Sequence, residues 1–565
     1  MLSTQKNNAT ASWLLDGLGL ALLITLFYFI WLGNHALFVP DEGRYSEVAR
    51  EMIARHDYIT PYLNGIVFLD KPALYYWLQA SAIHLFGLNE WALRFWPACI
   101  GVLGALATYF TGRLLFTRRT GLLAAALLAT SPIYYAAAHY ANLDLEVAVW
   151  ITITLFGLLL GFQSTNPTHR SRYFWFAWIF ASFAFLTKGL IGIVFPITIT
   201  GLWILLTHQW RLLRQFHLFG GVLIFIAITL PWYCLAQKAN PEFLHFFFVT
   251  QQVTRFLAKA DFNNRVPTWF YLPIIFAGFL PWSIFILQTM YRSIVLAVKN
   301  FREKHTELFL LLWFFTILIF FSIPKSKTIG YIIPTFPPLA LLTARYLDTC
   351  WENTVRSFNI SWIIFLSICW IALPICTVVQ WNHHLPIAPW LIIITILFAI
   401  TSVVLLWLYG KNTTIAPALY LLIIAAVIFS LIFSKSAASI NQNSIKPLVL
   451  ELKQTLQPND EIVTYYSFYQ DLPLYSERRI TVVADWDAPD IPYRDNWVRE
   501  LWYGMPFVDT HDWLINESTF WQRWNSQKHL IVLMDKKRFN QFKNTAKDTI
   551  KHIGTFNDVI WVSNQ

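Results

Sequence analysis

Charge is scarce in this chain. Only 13% of its 565 residues are Asp, Glu, Lys or Arg, against about a quarter in soluble proteins. With 56% of its residues hydrophobic, the chain has too little polar surface to cover a water-soluble core of this size. Lipid is therefore the expected solvent for most of it. Cysteine is scarce too. Cys99, Cys234, Cys350, Cys369 and Cys376 form no C-x-x-C, and most lie in or at the ends of apolar runs, which argues against a disulfide framework or a zinc knuckle. There is no Gly-rich nucleotide-binding loop and no low-complexity tract. An internal repeat of fixed period is also missing, and this disfavours an inverted-repeat transporter. The net charge of +10 comes with no basic stripe or RNA-binding motif, so nucleic acid is not an expected partner.

What is present is a series of long apolar runs. A spanning helix needs about 20 mostly apolar residues. Candidate spans are 12–33, 91–113, 119–138, 145–162, 173–187, 190–207, 216–236, 268–290, 307–323, 330–347, 360–380, 388–409 and 413–434, about thirteen in all. The run from Trp13 to Leu32 has no small-residue cleavage site and reads as a retained first helix. With the N-terminus cytoplasmic, the loops at Arg113–Arg119, His169–Arg172, Arg211–Arg214, Arg292–His305 and Arg345–Arg356 all face the cytoplasm, and all carry Arg or Lys, as the positive-inside rule requires. The loops at 34–90 and 237–267 are then external and mix acids, bases and aromatics. The 27 Trp and 47 Phe suit belts where lipid meets water.

After Phe433 the character changes. Residues 435–565 hold charges, turn residues and short strand-like runs at Glu461–Tyr466, Ile480–Ala484, Leu530–Leu533 and Val559–Val562, the pattern of a small soluble α/β domain. The expected architecture is an all-α membrane body, residues 1–434, followed by an external α/β domain, residues 435–565.

Residues able to carry chemistry fall in the external loops. The first loop begins FVPDEGRYSEVAREMIARHDY. Apolar residues at helical spacing beside Arg44, Glu47, Arg50 and Glu51 predict an amphipathic helix on the membrane surface. Asp41 stands at its N-cap position, where two roles are compatible: a helix cap and a catalytic carboxylate in a fixed rotamer. Composition alone favours the cap. Further along, Lys71 lies between Asp70 and Pro72, just before Tyr75-Tyr76-Trp77. It is either an interfacial lysine or a cation for a phosphate. Asp144 and Glu146 open an apolar helix, where a boundary carboxylate marks function or caps. Lys188, in a tight turn between two spans, reads as a snorkelling lysine. The loop NPEFLHFFFVTQQVTRFLAKADFNNRVP carries Arg255, Lys259 and Arg265 against the positive-inside bias, which points to an anionic ligand. His245, alone in an aromatic run, reads as structural. In IPKSKTIGYIIP, Lys325 and Lys327 form a compact external turn suited to clamping a phosphate, with Tyr331 opening the next helix. Two carboxylate sites and several cations on one side of the membrane favour an enzyme with an anionic lipid substrate over a transporter.

The strings VPDEGRYSEVAREM, DKPALYYW, NLDLE, TRF and IPKSKTIGYIIP are similar, in order, to the bacterial aminoarabinose transferase family. These are GT-C glycosyltransferases related to protein O-mannosyltransferases, and the resemblance covers roughly residues 10–435. It implies a sugar donor on a polyprenyl phosphate, with undecaprenyl phosphate as the carrier, and a lipid A phosphate as acceptor, at the periplasmic face of a bacterial inner membrane. It makes Asp41 the main catalytic carboxylate and Asp144 a second one. It places Lys71, Arg255 and Tyr331 on the carrier phosphate, with Arg44, Lys325 and Lys327 joining them and Glu42 and Asp70 in support. The implied reaction is an inverting sugar transfer with no nucleotide sugar. The sequence departs from the family where Gln251 and Gln252 replace a Glu-His pair and where Asp70 replaces Glu. Those positions resemble a divalent-metal site in some members, so the departure puts tight zinc binding in doubt. Thr328-Ile329-Gly330 also replaces a Leu-Pro-rich stretch, which leaves room for another sugar, or for a protein or other envelope glycan as acceptor. A lipid or solute transporter is the reading from a different class.

Overall fold

The computed structural model describes residues 2–254, 266–299, 305–382, 389–494 and 496–565. Most of them are helical. Among the described residues six helices are long and apolar enough to cross a membrane: Ser12–Phe29, Glu90–Leu115, Leu143–Gln163, Leu218–Ala239, Trp390–Lys411 and Ile415–Ser439. The protein is thus a multi-pass membrane protein. Two further apolar stretches are bent pairs. Arg118–Ala129 meets Pro132–Ala138 at 66°, and Thr268–Gly278 meets Trp282–Val298 at 109°. The stretch expected as one span over 268–290 is thus a pair of helices bent at Phe279–Pro281. Pro281 has no amide hydrogen to continue the helix ladder, so the chain closes at Phe279 and Leu280 on Ile275 and Ala277 and restarts in a new direction. The span expected at 330–347 likewise opens as a 3₁₀ turn, Ile329–Thr335, around Pro334 before the α-helix Phe336–Thr349.

The chain forms two compact units. One comprises residues 1–32, 94–230 and 264–437; the other comprises 33–93, 231–263 and 438–565. The external loop expected at 34–90 and most of that at 237–267 thus share a unit with the C-terminal residues.

In the first unit, helices Leu143–Gln163 and Pro167–Lys188 pack as a hairpin. Asn166 starts the second helix by accepting the amides of Thr168 and His169, with Pro167 in the first turn, an arrangement that satisfies otherwise orphaned donors. Gly161 allows the close approach, because a Cβ there would meet the Phe174 ring. The one acid in the first apolar run, Asp16, is neutralised by Arg113 at 2.5 Å and Arg118 at 2.6 Å.

In the second unit, strands β1 (Tyr62–Leu63) and β2 (Ile66–Val67) form a small hairpin. The C-terminal residues form a six-stranded sheet from β3 (Glu461–Tyr465), β4 (Thr481–Val483), β5 (Leu514–Ile515), β6 (Leu530–Asp535), β7 (His552–Phe556) and β8 (Val559–Ser563), in the order β5-β4-β3-β6-β8-β7. The first four in that order are parallel, and β8 is antiparallel to both β6 and β7. Val463, Tyr465, Val532, Phe520 and Phe542 pack one core, and Ile462, Ile531, Leu533, Leu448 and Leu472 another. This alternation along β3 and β6 shows a sheet covered on both faces.

Polar staples join the early loop to this sheet. Asn64 donates to the Ile480 carbonyl at 2.9 Å and accepts the Ile480 amide at 2.7 Å. Asn441 donates to the carbonyls of Ala36 and Leu37. The predicted amphipathic helix forms over Asp41–Arg55, but it does not lie open on a surface. Glu47 and Glu51 are buried and paired with Arg50 and Arg55. Gly43 lets it approach the backbone of Asp471, which a Cβ would meet at 2.9 Å.

Asp471 is fully buried, and its Oδ2 accepts the Ser444 hydroxyl at 2.7 Å and the Ile445 amide at 3.1 Å. Burial pushes its carboxyl up to about 6. Because the folded protein holds this proton more tightly than the unfolded chain, stability falls as pH rises from about 4 to about 6, by up to about 3 kcal/mol. The D471N variant keeps the acceptor without the charge. In thermal unfolding between pH 4 and 6 it should lack this downward contribution, while D471A should unfold at lower temperature throughout. A D471N profile that declines as steeply as the wild type would refute the assignment.

Candidate functional site

In the second unit the candidate residues gather at the head of the helix Asp41–Arg55. Pro40, not Asp41, occupies the N-cap position, and no side chain caps the helix. The expected cap role is therefore corrected: the Asp41 carboxylate sits one residue too far into the helix and instead engages the Arg44 guanidinium one turn on. The same guanidinium grips Glu500, on the short helix Trp497–Trp502, through its other terminal nitrogen. Arg44 is 12% exposed, Asp41 26% and Glu500 32%. Arg44 Nε is buried with no hydrogen-bond partner among the described residues, which leaves a donor free for an acceptor from outside. Its guanidinium lies 5.1 Å from the centre of the Tyr45 ring, within cation–π range.

Tyr45 packs with Tyr75 and Tyr76 at ring separations of about 6 Å. Burial, with Tyr45 and Asp70 nearby, holds the Tyr76 phenol well above its usual range, so it stays protonated. Its hydroxyl has no partner among the described residues. Lys71 is half-buried and donates to the Asp70 carbonyl at 3.1 Å. Glu42 is buried and accepts the Phe38 amide at 2.7 Å, which secures the turn that leads into the helix. Arg255, Lys259 and Arg265 lie outside the described residues. Gln251 and Gln252 fall in a π-helix, His245–Thr254. Among the described residues no three His, Cys, Asp or Glu side chains are grouped to hold a metal ion.

In the first unit, Asn142 caps the helix Leu143–Gln163 by accepting the amide of Asp144. Asp144 is thus a first-turn acid, stabilised by the helix dipole, and not the cap. Its carboxylate pairs with Lys188, and both side chains are largely buried. The Lys188 ammonium also stands 4.4 Å from the centre of the Tyr331 ring. Gly330 makes room for the pair, since a Cβ there would fall on the Asp144 carboxylate. Two residues on, Glu146 is buried and accepts from the Thr187 hydroxyl at 3.0 Å and from the Trp150 indole at 3.2 Å. The Lys325–Lys327 turn does not form a two-lysine clamp. Lys325 is exposed, whereas Lys327 is buried and donates to the carbonyls of Val266 and Pro324. Burial pulls its ammonium down from the usual lysine range.

Residues 70–234 match the family profile described as dolichyl-phosphate-mannose-protein mannosyltransferase. Over 385 residues the chain is 31% identical to the undecaprenyl phosphate-alpha-4-amino-4-deoxy-L-arabinose arabinosyl transferase of Yersinia enterocolitica, covering 66% of this chain and 67% of that protein. The chain belongs to this aminoarabinose transferase family. A second member, from Sodalis glossinidius, is 31% identical over 62% of this chain, an alignment spanning 63% of that relative's length. The fold agrees. ArnT from Cupriavidus metallidurans, in its apo state, superposes with a TM-score of 0.83 at 24% identity, covering 99% of this chain and 98% of that one. The same protein bound to undecaprenyl phosphate superposes equally well.

For a member of the aminoarabinose transferase family, two charged residues here were not legible as site residues. Lys188 reads as a snorkelling lysine until its partner is seen. The available signal is that Asp144 opens one span and Lys188 ends the next, so an antiparallel hairpin brings them to the same end. Glu500 carries no local signal, and only the tertiary fold brings it to Arg44.

Breaking the buried Asp144–Lys188 pair from one side should cost about 3 kcal/mol, because a charge is left uncompensated. K188M should therefore melt well below the wild type in detergent. The double variant D144N/K188M should regain most of the loss. Additive losses in the double variant would show that the two groups are not coupled.

Proposed function

We propose that this chain is an integral membrane glycosyltransferase that moves 4-amino-4-deoxy-L-arabinose from undecaprenyl phosphate to a phosphate of lipid A, on the periplasmic side of a bacterial inner membrane. The observation that carries the reading is the partly buried Asp41–Arg44 pair with its unpaired Nε donor, placed in a chain whose arabinosyl transferase relatives are 31% identical. The carrier assignment draws on the names of those relatives and on the C. metallidurans protein, whose solved structure holds undecaprenyl phosphate. The orientation rests on the Arg- and Lys-bearing loops assigned to the cytoplasm, with thirteen spans, an internal N-terminus and an external sheet of residues 461–563.

The chemistry follows from these side chains. An acceptor phosphate oxygen attacks the anomeric carbon from the face opposite the carrier. The new bond is carbon to acceptor oxygen; the broken one is carbon to the carrier's phosphate oxygen. Undecaprenyl phosphate leaves with the bonding electron pair. A phosphate acceptor is already an anionic nucleophile, so Asp41, engaged by Arg44, orients the sugar's amine or hydroxyls and does not remove a proton. The family resemblance assigns Lys71, Arg255 and Tyr331, with Arg44, to the charge that grows on the leaving phosphate. Asp144, fixed by Lys188, is the second essential carboxylate. Lys325 adds a solvent-facing cation. A protein or other envelope glycan is the alternative acceptor, and the match of residues 70–234 to a protein mannosyltransferase profile favours keeping that reading. Membership in a transferase family sets the transporter reading aside.

Lipid A from cells with and without the protein should differ by the mass of one or more aminoarabinose groups. D41N should insert and keep its thermal transition, yet lose about 100-fold in transfer, the scale expected when a positioning group is lost. Full transfer by folded D41N would remove Asp41 from the mechanism. Unchanged lipid A alongside a modified protein or glycan would move the acceptor to the second reading.

A further inference from the structure

A polar cleft whose lining does not include Asp41 lies at the C-terminal sheet. The four parallel strands run β5-β4-β3-β6. The connection from β3 goes to β4 on one side, and β6 is added on the other side of β3. The topology therefore reverses between β3 and β6. In open α/β sheets, the crevice at the carboxyl ends of the strands beside such a reversal is where ligands bind. A cavity of about 500 Å³ sits there, and each of the four parallel strands contributes a lining residue just past its carboxyl end: Tyr466 after β3, Asp485 after β4, Glu517 after β5 and Arg538 after β6. That volume lies within the range of small-molecule sites.

The charged members of the lining are not explained by core packing. Tyr466 holds a left-handed backbone, φ 50°, which costs an ordinary side chain about 1 kcal/mol or more. Its hydroxyl lies 2.8 Å from Asp485 Oδ1 and 3.2 Å from Glu517 Oε2. Glu517 is further held by the Tyr465 hydroxyl and by the Trp521 indole. Arg494 is committed to Asp490 through two 2.8 Å bonds. Arg538 stands 4.9 Å from the centre of the Tyr466 ring, is exposed and makes no hydrogen bond or ion pair among the described residues. It sits on the helix Lys536–Ala546 beside exposed Lys536, Lys537 and Lys543, which add positive charge on the Arg538 side of the cleft, opposite the carboxylates Asp485 and Glu517 that also line it. Trp497 adds a half-exposed aromatic face.

We propose that this cleft binds a phosphorylated saccharide. The Trp497 face stacks on the sugar ring, Asp485 accepts its hydroxyls, and Arg538 takes the phosphate as a planar fork. The proposal is independent of the transfer chemistry. Two sources share this chemistry, a phosphorylated glycolipid headgroup and a free sugar phosphate.

The test is equilibrium dialysis of labelled glucosamine 1-phosphate against the full chain in phosphatidylcholine nanodiscs. The wild type should bind it, and glucosamine or inorganic phosphate alone should bind at least about tenfold more weakly. R538Q and W497L should each weaken binding about tenfold or more while keeping the wild-type thermal transition, and D41N should bind normally. Competition by lipid A included in the nanodiscs assigns the headgroup as the source; no competition assigns the free sugar phosphate. Unaltered binding by R538Q and W497L, inorganic phosphate binding as tightly as the conjugate, or loss of binding in D41N would each overturn the proposal. Normal binding together with absent transfer would count against the transfer reading alone.

Discussion

The second unit depends on one guanidinium. Arg44 joins Asp41, three residues before it, to Glu500, 456 residues after it. Such a pair is expensive to desolvate and tolerable only when nearly every donor finds an acceptor. One carboxylate meets each terminal nitrogen, and the buried Nε has no partner among the described residues. The C-terminal residues are thus part of what holds Asp41 in place. The staples at Asn64–Ile480 and Asn441 and the close approach at Gly43 hold the same two stretches of chain together.

The first unit solves a different problem. Asp144 sits at the start of an apolar helix and would be costly as an isolated charge. Lys188, at the end of the adjacent antiparallel helix, neutralises it, and the Tyr331 ring backs the ammonium. The small residue Gly330 keeps the carboxylate from being crowded out. Charge balance, helix dipole and steric room all act on the same side chain, and consistency of this kind marks a site that is held in one geometry.

Much of this was legible in the sequence, and the rest was not for physical reasons. Long apolar runs announce spanning helices because lipid leaves the backbone no other choice. The breaks near Pro281 and Pro334 were harder to place, since proline in a span is tolerated as often as it is decisive. The four strand-like runs after residue 460 all became strands of one sheet, whereas β5 and β7 are too short or too polar to stand out. The helix at Asp41–Arg55 was visible from its period. Its buried polar face was not, because burial of Glu47 and Glu51 depends on segments far away in the chain. Asp41 looked like a cap because Asp so often is one, and a one-residue shift changed its role from capping an amide to gripping a guanidinium. Lys327 looked like half of a phosphate clamp, but main-chain carbonyls claimed it.

The sheet edge carries the argument one step further. Tyr466, Asp485, Glu517 and Arg538 are separated by stretches of roughly 20 to 30 residues, so no local motif joins them. They meet because each follows a parallel strand, and parallel strands in one sheet present all their carboxyl ends along one edge. The ring of Tyr466 packs against the core of Val463, Val532, Phe520 and Phe542, but Asp485, Glu517 and Arg538 are not part of it. The cost of these edge residues includes a strained tyrosine backbone and an arginine that meets the Tyr466 ring but makes no hydrogen bond or ion pair among the described residues. A fold that retains those costs is positioned to recover them from a ligand, and the mixture of aromatic face, carboxylate and open guanidinium sets which ligand chemistry that is.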